Sequence, residues 1–455
     1  MVLTAQRTAR TEERAADPLV YLEGLYTILP LQRIDHILQW SGRVEQRQRR
    51  LPARAMTLFV VAMSLFPELS IPQVWRRLHP AQEIPEPVES AWVQARQRLG
   101  VTPLRRLFHE VAQPLAAPDT PAAFYRGMRL MALDGTVLDM PDTPANAAIF
   151  GRPRSGRSDG AFPQVRLLVL CELGTHAVCG LALRPLAYGE QCMVPQLLRR
   201  VAAGSLLLWD RNFLSYELIS AVLERGVHLL ARAKSNLVLR PIQRLTDGSY
   251  LAKIYPTPKD RRHDRHGIVL RVIEYTHDDP GRPGCGERHR LISDLVEPEQ
   301  LPAAEAPLVY HQRWEEELTL DEIKTHLNGR AVPLRSKTPR GVVQEIYGLM
   351  LAHRVIRHTM YDAARSCQLD PDRLSFTDSY RVLQSHLPEA PQQSPAQWYA
   401  ALVHEVSCQH LRPRRDRWYP RVIKRKMSNW LKKRPQHQNP PQPTKPFRNA
   451  VVMPN

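Results

Sequence analysis

Residues 130–135 read Leu130-Met131-Ala132-Leu133-Asp134-Gly135. An apolar run this short, closed by a carboxylate and a glycine, reads as a buried strand with an acid at its end. The pattern returns at Ser205–Trp209, which closes on Asp210. Further strands are expected at Val165–Leu173 and Ala177–Leu183, turned at Gly174, and at Val227–Ala231, with a helix over Leu214–Arg225. Strands that end in Asp and alternate with helices indicate an α/β domain. Carboxylates at the ends of neighbouring strands can converge on one sheet edge.

Outward from this centre the pattern changes. Residues 235–290 are β-rich, with strand character at Tyr250–Ile254, Ile268–Tyr275 and Arg288–Ser293 between polar turns. Helices are expected over Ala306–Leu327 and Val342–Ala364. Upstream, residues 1–17 form a polar, Arg-rich leader expected to be disordered, without the apolar stretch of a secretory signal. Residues 18–114 are helical: Ile34, Ile37 and Leu38, then Leu58, Val61, Ala62 and Leu65, recur at helix spacing, and Pro52, Pro67, Pro72, Pro80 and Pro103 divide the stretch. The expected organisation is this helical region, an α/β core over 122–234 and 291–365 interrupted at 235–290, a helical and basic region over 366–434, and a disordered tail over 435–455.

The chain has 455 residues and a formal net charge of +18, with 43% hydrophobic and 24% charged residues. It can bury a sizeable core, and its basic excess favours a polyanionic partner. Arginines 43, 47, 49, 50, 76, 77, 96, 98, 105 and 106 crowd the helical region, and residues 412–434 carry eleven Lys or Arg against Asp416. The longest apolar stretch, Met56–Phe66, is stopped by Pro67 and Glu68 and is too short to span a membrane. Six cysteines without a CxxC pair read as reduced thiols rather than a disulfide or zinc framework.

Asp134, Asp210 and Glu317 are the candidate catalytic carboxylates. Three such groups repel one another when ionised, and hard divalent cations with oxygen ligands offset the repulsion. Two ions about 4 Å apart would activate an attacking water or hydroxyl and stabilise the leaving oxygen. Asp139 and Asp142 compete with Asp134 for this role, and Asp210 alternatively pairs with Arg211. Glu317 has distinctive company in Tyr310, Arg313 and Lys324, whose spacing places all four on one broad face of an α-helix. A phenol, a guanidinium and an ammonium around a carboxylate suit a phosphate clamp. An exposed helix laced with pairs such as Arg313 with Glu317 explains the same spacing.

These residues carry a resemblance. Leu133-Asp134-Gly135-Thr136, Asp210-Arg211-Asn212-Phe213 and the complete Tyr310-x-x-Arg313-x-x-x-Glu317-x-x-x-x-x-x-Lys324 pattern resemble the insertion-sequence-four family of DDE transposases, whose Tyr-Arg-Glu-Lys signature the last one matches. Phe162-Pro163-Gln164-Val165-Arg166, Leu334-Arg335-Ser336-Lys337-Thr338-Pro339 and Gln94-Ala95-Arg96-Gln97-Arg98-Leu99 are similar too, so the likeness covers roughly residues 20–430.

The resemblance implies an α/β, RNase H-like catalytic core interrupted by a β-rich insertion and preceded by a small helical DNA-binding domain. It implies two Mg²⁺ ions, replaceable by Mn²⁺, on Asp134, Asp210 and Glu317. Tyr310, Arg313 and Lys324 would grip phosphates. Arg211, Arg96, Arg98, Lys424, Arg425 and Lys426 are the further expected DNA contacts. The implied activity is binding of terminal inverted repeats, end cleavage and joining of 3′-OH ends to target DNA, by a homodimer on DNA in the bacterial cytoplasm at the nucleoid. A metal-dependent nuclease that does not join, and a repurposed DNA-binding protein, are the rival readings. One departure from the family is that residues 235–290 contain no Trp. Family members often use an insertion Trp to hold a flipped base as an end hairpin forms; here the aromatics are Tyr250, Tyr255 and Tyr275.

Overall fold

The computed structural model describes residues 20–47, 49–79, 85–155, 158–234, 236–281, 285–329, 334–412 and 444–453. The leader at 1–17 and most of the basic tail, with Lys424, Arg425 and Lys426, lie outside the described residues. The chain divides into two compact units. The first comprises Met1–Ala123, Leu133–Arg200 and Glu315–Leu411, the second Phe124–Ala132, Val201–Trp314 and Arg412–Asn455.

In chain order, the helical region contains α1 (Leu31–Trp40), α2 (Ala53–Leu65), α3 (Ile71–Leu78), α4 (Glu89–Leu99) and α5 (Thr102–Val111). The strands are β1 (Met128–Asp139), β2 (Gln164–Glu172), β3 (Ala177–Pro185), β4 (Leu206–Trp209), β5 (His228–Arg232), β6 (Pro241–Arg244), β7 (Tyr250–Ile254), β8 (Ile268–His277) and β9 (His289–Ser293). Then come α6 (Ala306–His311), α7 (Trp314–Asp321) and α8 (Pro339–Ser366).

In the first unit, α2 is apolar almost all round and buried almost throughout, as a helix enclosed by others must be. It packs on α8, where Gly348 permits close approach: a Cβ there would stand 2.8 Å from the Val60 carbonyl oxygen. Thr338 caps α8 by accepting the Gly341 N–H, with Pro339 in the first turn. Beside these helices β2 and β3 pair as an antiparallel hairpin, from Val165 opposite Pro185 to Glu172 opposite Ala177. The N-terminal helices therefore share one hydrophobic core with α8 and this hairpin.

The second unit is built on a mixed sheet. Its centre is β4, whose run Leu206-Leu207-Leu208-Trp209 is wholly buried and pairs in parallel with β5, as expected for a strand covered on both faces. Beyond β5 the sheet continues antiparallel through β9, β8, β7 and β6. Burial alternates along β7, matching its half-buried pattern. The β-rich stretch 235–290 thus extends the sheet that contains β4 and β5.

Three expectations change. The strand through Asp134 does not end there: β1 runs to Asp139, with Leu130–Leu133 buried and Asp134–Val137 half-buried. The sequence signal marked the end of burial, while backbone pairing continued. The single helix over 306–327 is divided. Gln312 and Arg313 donate to carbonyls three residues back, Val309 and Tyr310, which tightens and ends α6. After α7 the chain forms a π-helical turn over Glu322–Leu327. Finally, the tail expected to be disordered over 435–455 is ordered at 444–453. Phe447 stacks on His311 at 3.9 Å, and Val452 pairs with Thr276 of β8. A few apolar residues suffice to bury this segment although its Pro- and Gln-rich approach shows no periodicity.

Candidate active site

In the second unit, β4 delivers Asp210 directly from a buried strand to a half-buried position. There the carboxylate caps a 3₁₀ turn over Arg211–Phe213: Asp210 Oδ1 accepts the Arg211 N–H at 2.6 Å. The contact between the two residues is thus backbone to carboxylate rather than a side-chain ion pair. One bond leaves most of the acceptor capacity of a carboxylate, about four lone-pair sites, for other ligands. Arg211 itself is exposed.

The same unit brings Tyr310 and Arg313 to this strand end. The Tyr310 hydroxyl donates to the Trp209 carbonyl at 3.4 Å. Burial pushes the phenol up to about 12, and the charge of Asp210 adds to the shift against the opposing effect of Arg313, so Tyr310 stays protonated as a donor. The Arg313 guanidinium lies over the Tyr310 ring at 5.9 Å and over the Trp314 ring at 5.6 Å, and the residue is buried. Two aromatic faces hold this cation, with little rotamer freedom left to lose on meeting an anion.

In the first unit, Asp134 Oδ1 accepts the Gly135 N–H at 2.8 Å. Its two competitors are engaged: Asp139 accepts from Gln164 Nε2 at 2.7 Å, and Asp142 is paired with Arg152. Against Gly135 lies a residue that sequence reading missed. Glu190 occupies the space a side chain at 135 would fill, and its carboxylate takes a hydrogen bond from Arg166 Nη1 at 2.9 Å. The available signal was Gly135 itself, since a glycine inside a strand marks the close approach of another group.

Glu317 is half-buried on α7, and Lys324 is exposed on the π-turn. The break at 312–313 and the π-turn mean that Tyr310, Arg313, Glu317 and Lys324 do not share a continuous α-helix, so the single-face argument from spacing does not carry over. π-turns inside helices are frequent at functional sites.

The expected DNA contacts Arg96 and Arg98 face inward. Arg96 donates to Gln344 Oε1, Ser336 Oγ and the Gly341 carbonyl, and Arg98 to the Leu51 carbonyl. Of the three tyrosines at 235–290, Tyr250 and Tyr275 are buried, whereas Tyr255 is half-buried and donates to Asp264 beside Lys253. Among the described residues no helix is long and apolar enough to cross a membrane.

Residues 20–109 match the family described as insertion element 4 transposase N-terminal, and residues 125–354 match the transposase DDE domain. The chain is 30% identical over 416 residues to the transposase InsG of insertion sequence element IS4 from Escherichia coli K12, covering 89% of this chain and 92% of that protein. It is 29% identical over 222 residues to the putative transposase InsZ of the same organism, covering 47% of this chain and 73% of that protein. Among solved structures, a piggyBac transposase synaptic complex with hairpin DNA aligns with a TM-score of 0.43 and 13% identity, over 86% of this chain and 85% of that one. A likeness at that level assigns neither fold nor chemistry.

Proposed function

The chain belongs to the insertion-sequence-four family of DDE transposases, and from that premise we propose that it cuts at the terminal inverted repeats of an insertion sequence and joins the 3′-OH ends to target DNA with two Mg²⁺ ions. The observation that carries this reading is the group formed by Asp210, Tyr310 and Arg313: a carboxylate at the end of a buried parallel strand, a protonated phenol on the same strand's last carbonyl, and a guanidinium pinned between rings. A nuclease or a transposase needs such a set to hold a phosphate still beside a cation.

In this reading Asp134, Asp210 and Glu317 are the metal ligands. The donor set fits: all three are half-buried and offer hard carboxylate oxygens. When bound, the ions supply an activated oxygen nucleophile and stabilise the leaving oxygen. The chain's own groups then position DNA. Arg313 forks onto phosphate oxygens, Tyr310 donates a hydrogen bond, and Lys324 adds an exposed positive charge. An RNase H-like core with 235–290 as its insertion, a homodimer on DNA, and end recognition by residues 20–111 belong to the same proposal.

The test is a supercoiled donor plasmid carrying matched element ends, incubated with wild-type chain and Mg²⁺ or Mn²⁺. Asp134→Asn, Asp210→Asn and Glu317→Gln should each abolish cutting and joining while end binding persists. Substantial cleavage by any variant removes that residue from the site, and cutting without joined product by the wild type leaves a nuclease instead.

A further inference from the structure

In the first unit, the segment that carries Glu317 and Lys324 is held on both sides of Glu317 by buried carboxylates. On the near side, Glu315 Oε2 accepts the Gly174 N–H at 2.6 Å. Gly174 lies in the turn that joins β2 to β3, at φ 81°, where a Cβ would stand 2.6 Å from the Pro121 carbonyl oxygen. This turn is itself fixed. Glu172 Oε2 accepts the N–H groups of Leu115 and Ala116, each at 2.8 Å, and the Thr175 hydroxyl at 2.7 Å. Glu315 therefore rests on a support with little freedom to move.

On the far side, Glu322 is buried at the start of the π-turn. Arg357 of α8 forks onto its carboxylate: Nε donates to Oε2 at 2.9 Å, and Nη2 donates to Oε1. His353, one turn earlier on α8, sets its Nε2 3.1 Å from Oε2. His176 of the β2–β3 turn closes the group. Its Nδ1 accepts from Arg357 Nη2 at 2.7 Å, and its Nε2 stands 3.1 Å from Asp372 Oδ1. All five residues are buried. A buried ion pair is a poor source of stability, because desolvation offsets much of its attraction. What a guanidinium fork supplies that apolar packing does not is a defined geometry. Glu322 stands five residues after Glu317 and two before Lys324. A π-turn winds the chain differently from an α-helix, so its retention sets the angle between those two side chains.

We propose that Glu322 and Arg357 are positioning residues for DNA cleavage: their fork holds the π-turn, and through it the Glu317 carboxylate and the Lys324 ammonium, where the reaction needs them. The inference rests on the reading of Glu317 as a metal ligand and of Lys324 as a phosphate contact. Groups fixed before DNA arrives need no reorganisation at the moment of reaction. Neither Glu322 nor Arg357 touches DNA or an ion in this account, so both act on the rate through Glu317 and Lys324.

The experiment compares full-length wild type, Arg357→Lys, Glu322→Gln and Glu317→Gln. Arg357→Lys keeps the charge and loses the fork, while Glu322→Gln keeps the shape and sets an amide donor against the guanidinium. Each is assayed by amide hydrogen exchange, by end affinity without metal, and by cleavage rate per folded chain over a Mg²⁺ series. In wild type, residues 315–327 should exchange far more slowly than the largely exposed β7–β8 loop at 257–267. In Arg357→Lys and Glu322→Gln, exchange over 315–327 should speed up roughly tenfold or more while α2 is unchanged, because local opening follows the free energy that holds an element. Cleavage per folded chain should fall about 10- to 100-fold and half-saturating Mg²⁺ should rise, with end affinity unchanged. A pair that only stabilises the fold would lower melting and leave the rate per folded chain and its Mg²⁺ dependence at wild-type values, a result that overturns the proposal. Loop-like exchange of 315–327 in wild type would overturn it even if both variants misfold. Cleavage by Glu317→Gln would sink the underlying reading and this inference with it, whereas an inert Glu317→Gln beside a fully active Arg357→Lys would sink the positioning alone.

Discussion

Gly135 follows Asp134, one of the proposed metal ligands, and has no room for a side chain. A Cβ there would stand 2.7 Å from Glu190 Cγ and closer still to its carboxyl group. The Glu190 side chain can swing away, but only by giving up Arg166, its partner at 2.9 Å. Both ends of that pair are partly exposed, so its loss costs little stability. Its position matters more, since a displacement of about 1 Å near reacting groups can cost ~100-fold in rate. Gly135→Ala should therefore slow end cleavage about 10- to 100-fold with nearly unchanged melting, and adding Glu190→Ala should recover part of the rate by removing the clash. Gel-based cleavage rates beside melting curves check this, and wild-type rates for Gly135→Ala would show that the packing of Glu190 against position 135 does not bear on cleavage. Asp134 and Asp210 stand out in the sequence because each closes an apolar run. Glu190 does not, because its polar neighbourhood Tyr188-Gly189-Glu190-Gln191 has no period, and only tertiary packing sets it against Gly135.

At the scale of elements, the arginines of α4 join helices. The Arg96 side chain reaches Gln344 and Ser336 with the Gly341 carbonyl, and Gln344 returns two bonds, to the Arg96 carbonyl at 2.8 Å and the Gly100 carbonyl at 2.7 Å. Arg335 does the same for the end of α2, donating to the Met63 and Leu69 carbonyls at 2.6 and 2.7 Å. Helix C-termini leave such carbonyls without intrahelical partners. A net value near 1 kcal/mol per bond makes each truncation cost about 2–3 kcal/mol. Arg96→Ala and Arg335→Ala should thus lower the melting temperature by several degrees, with affinity for element ends unchanged when measured on the folded fraction. Loss of end affinity at full wild-type stability would return Arg96 to the DNA interface. Helix existence was legible from the period of Leu58, Val61, Ala62 and Leu65. The direction of an arginine was not, since a charged side chain on an amphipathic helix reads alike whether it meets a phosphate or a carbonyl. The break at 312–313 was equally hidden: Gln312 and Arg313 are adequate helix formers, and the π-turn after Asp321 is anchored by Glu322 in contacts far away in sequence.

The whole chain carries a formal charge of +18, and eleven of its basic residues lie at 412–434. Composition made that partner preference legible, but not where the chain goes afterwards. Residues 444–453 return to the second unit, through Phe447 on His311 and Val452 beside Thr276, with the Thr444 N–H on Asp279 at 3.2 Å. Deleting everything from 412 onward would therefore strip a packed segment along with the charges and confuse two effects. Substituting Lys424, Arg425 and Lys426 together with Gln isolates the charge. If all three neutralise phosphates, the logarithmic salt dependence of binding should become shallower by about 2.7, at roughly 0.9 per contact on duplex DNA. Because phosphate contacts position a protein without reading bases, affinity for element ends and for random duplex should fall together. Melting should not move, since the docked residues remain. Fluorescence anisotropy on matched specific and random duplexes over a salt series measures both slopes. An unchanged slope would mean that these cations do not touch DNA, and a selective loss on the specific duplex would make the segment a reader of the element end.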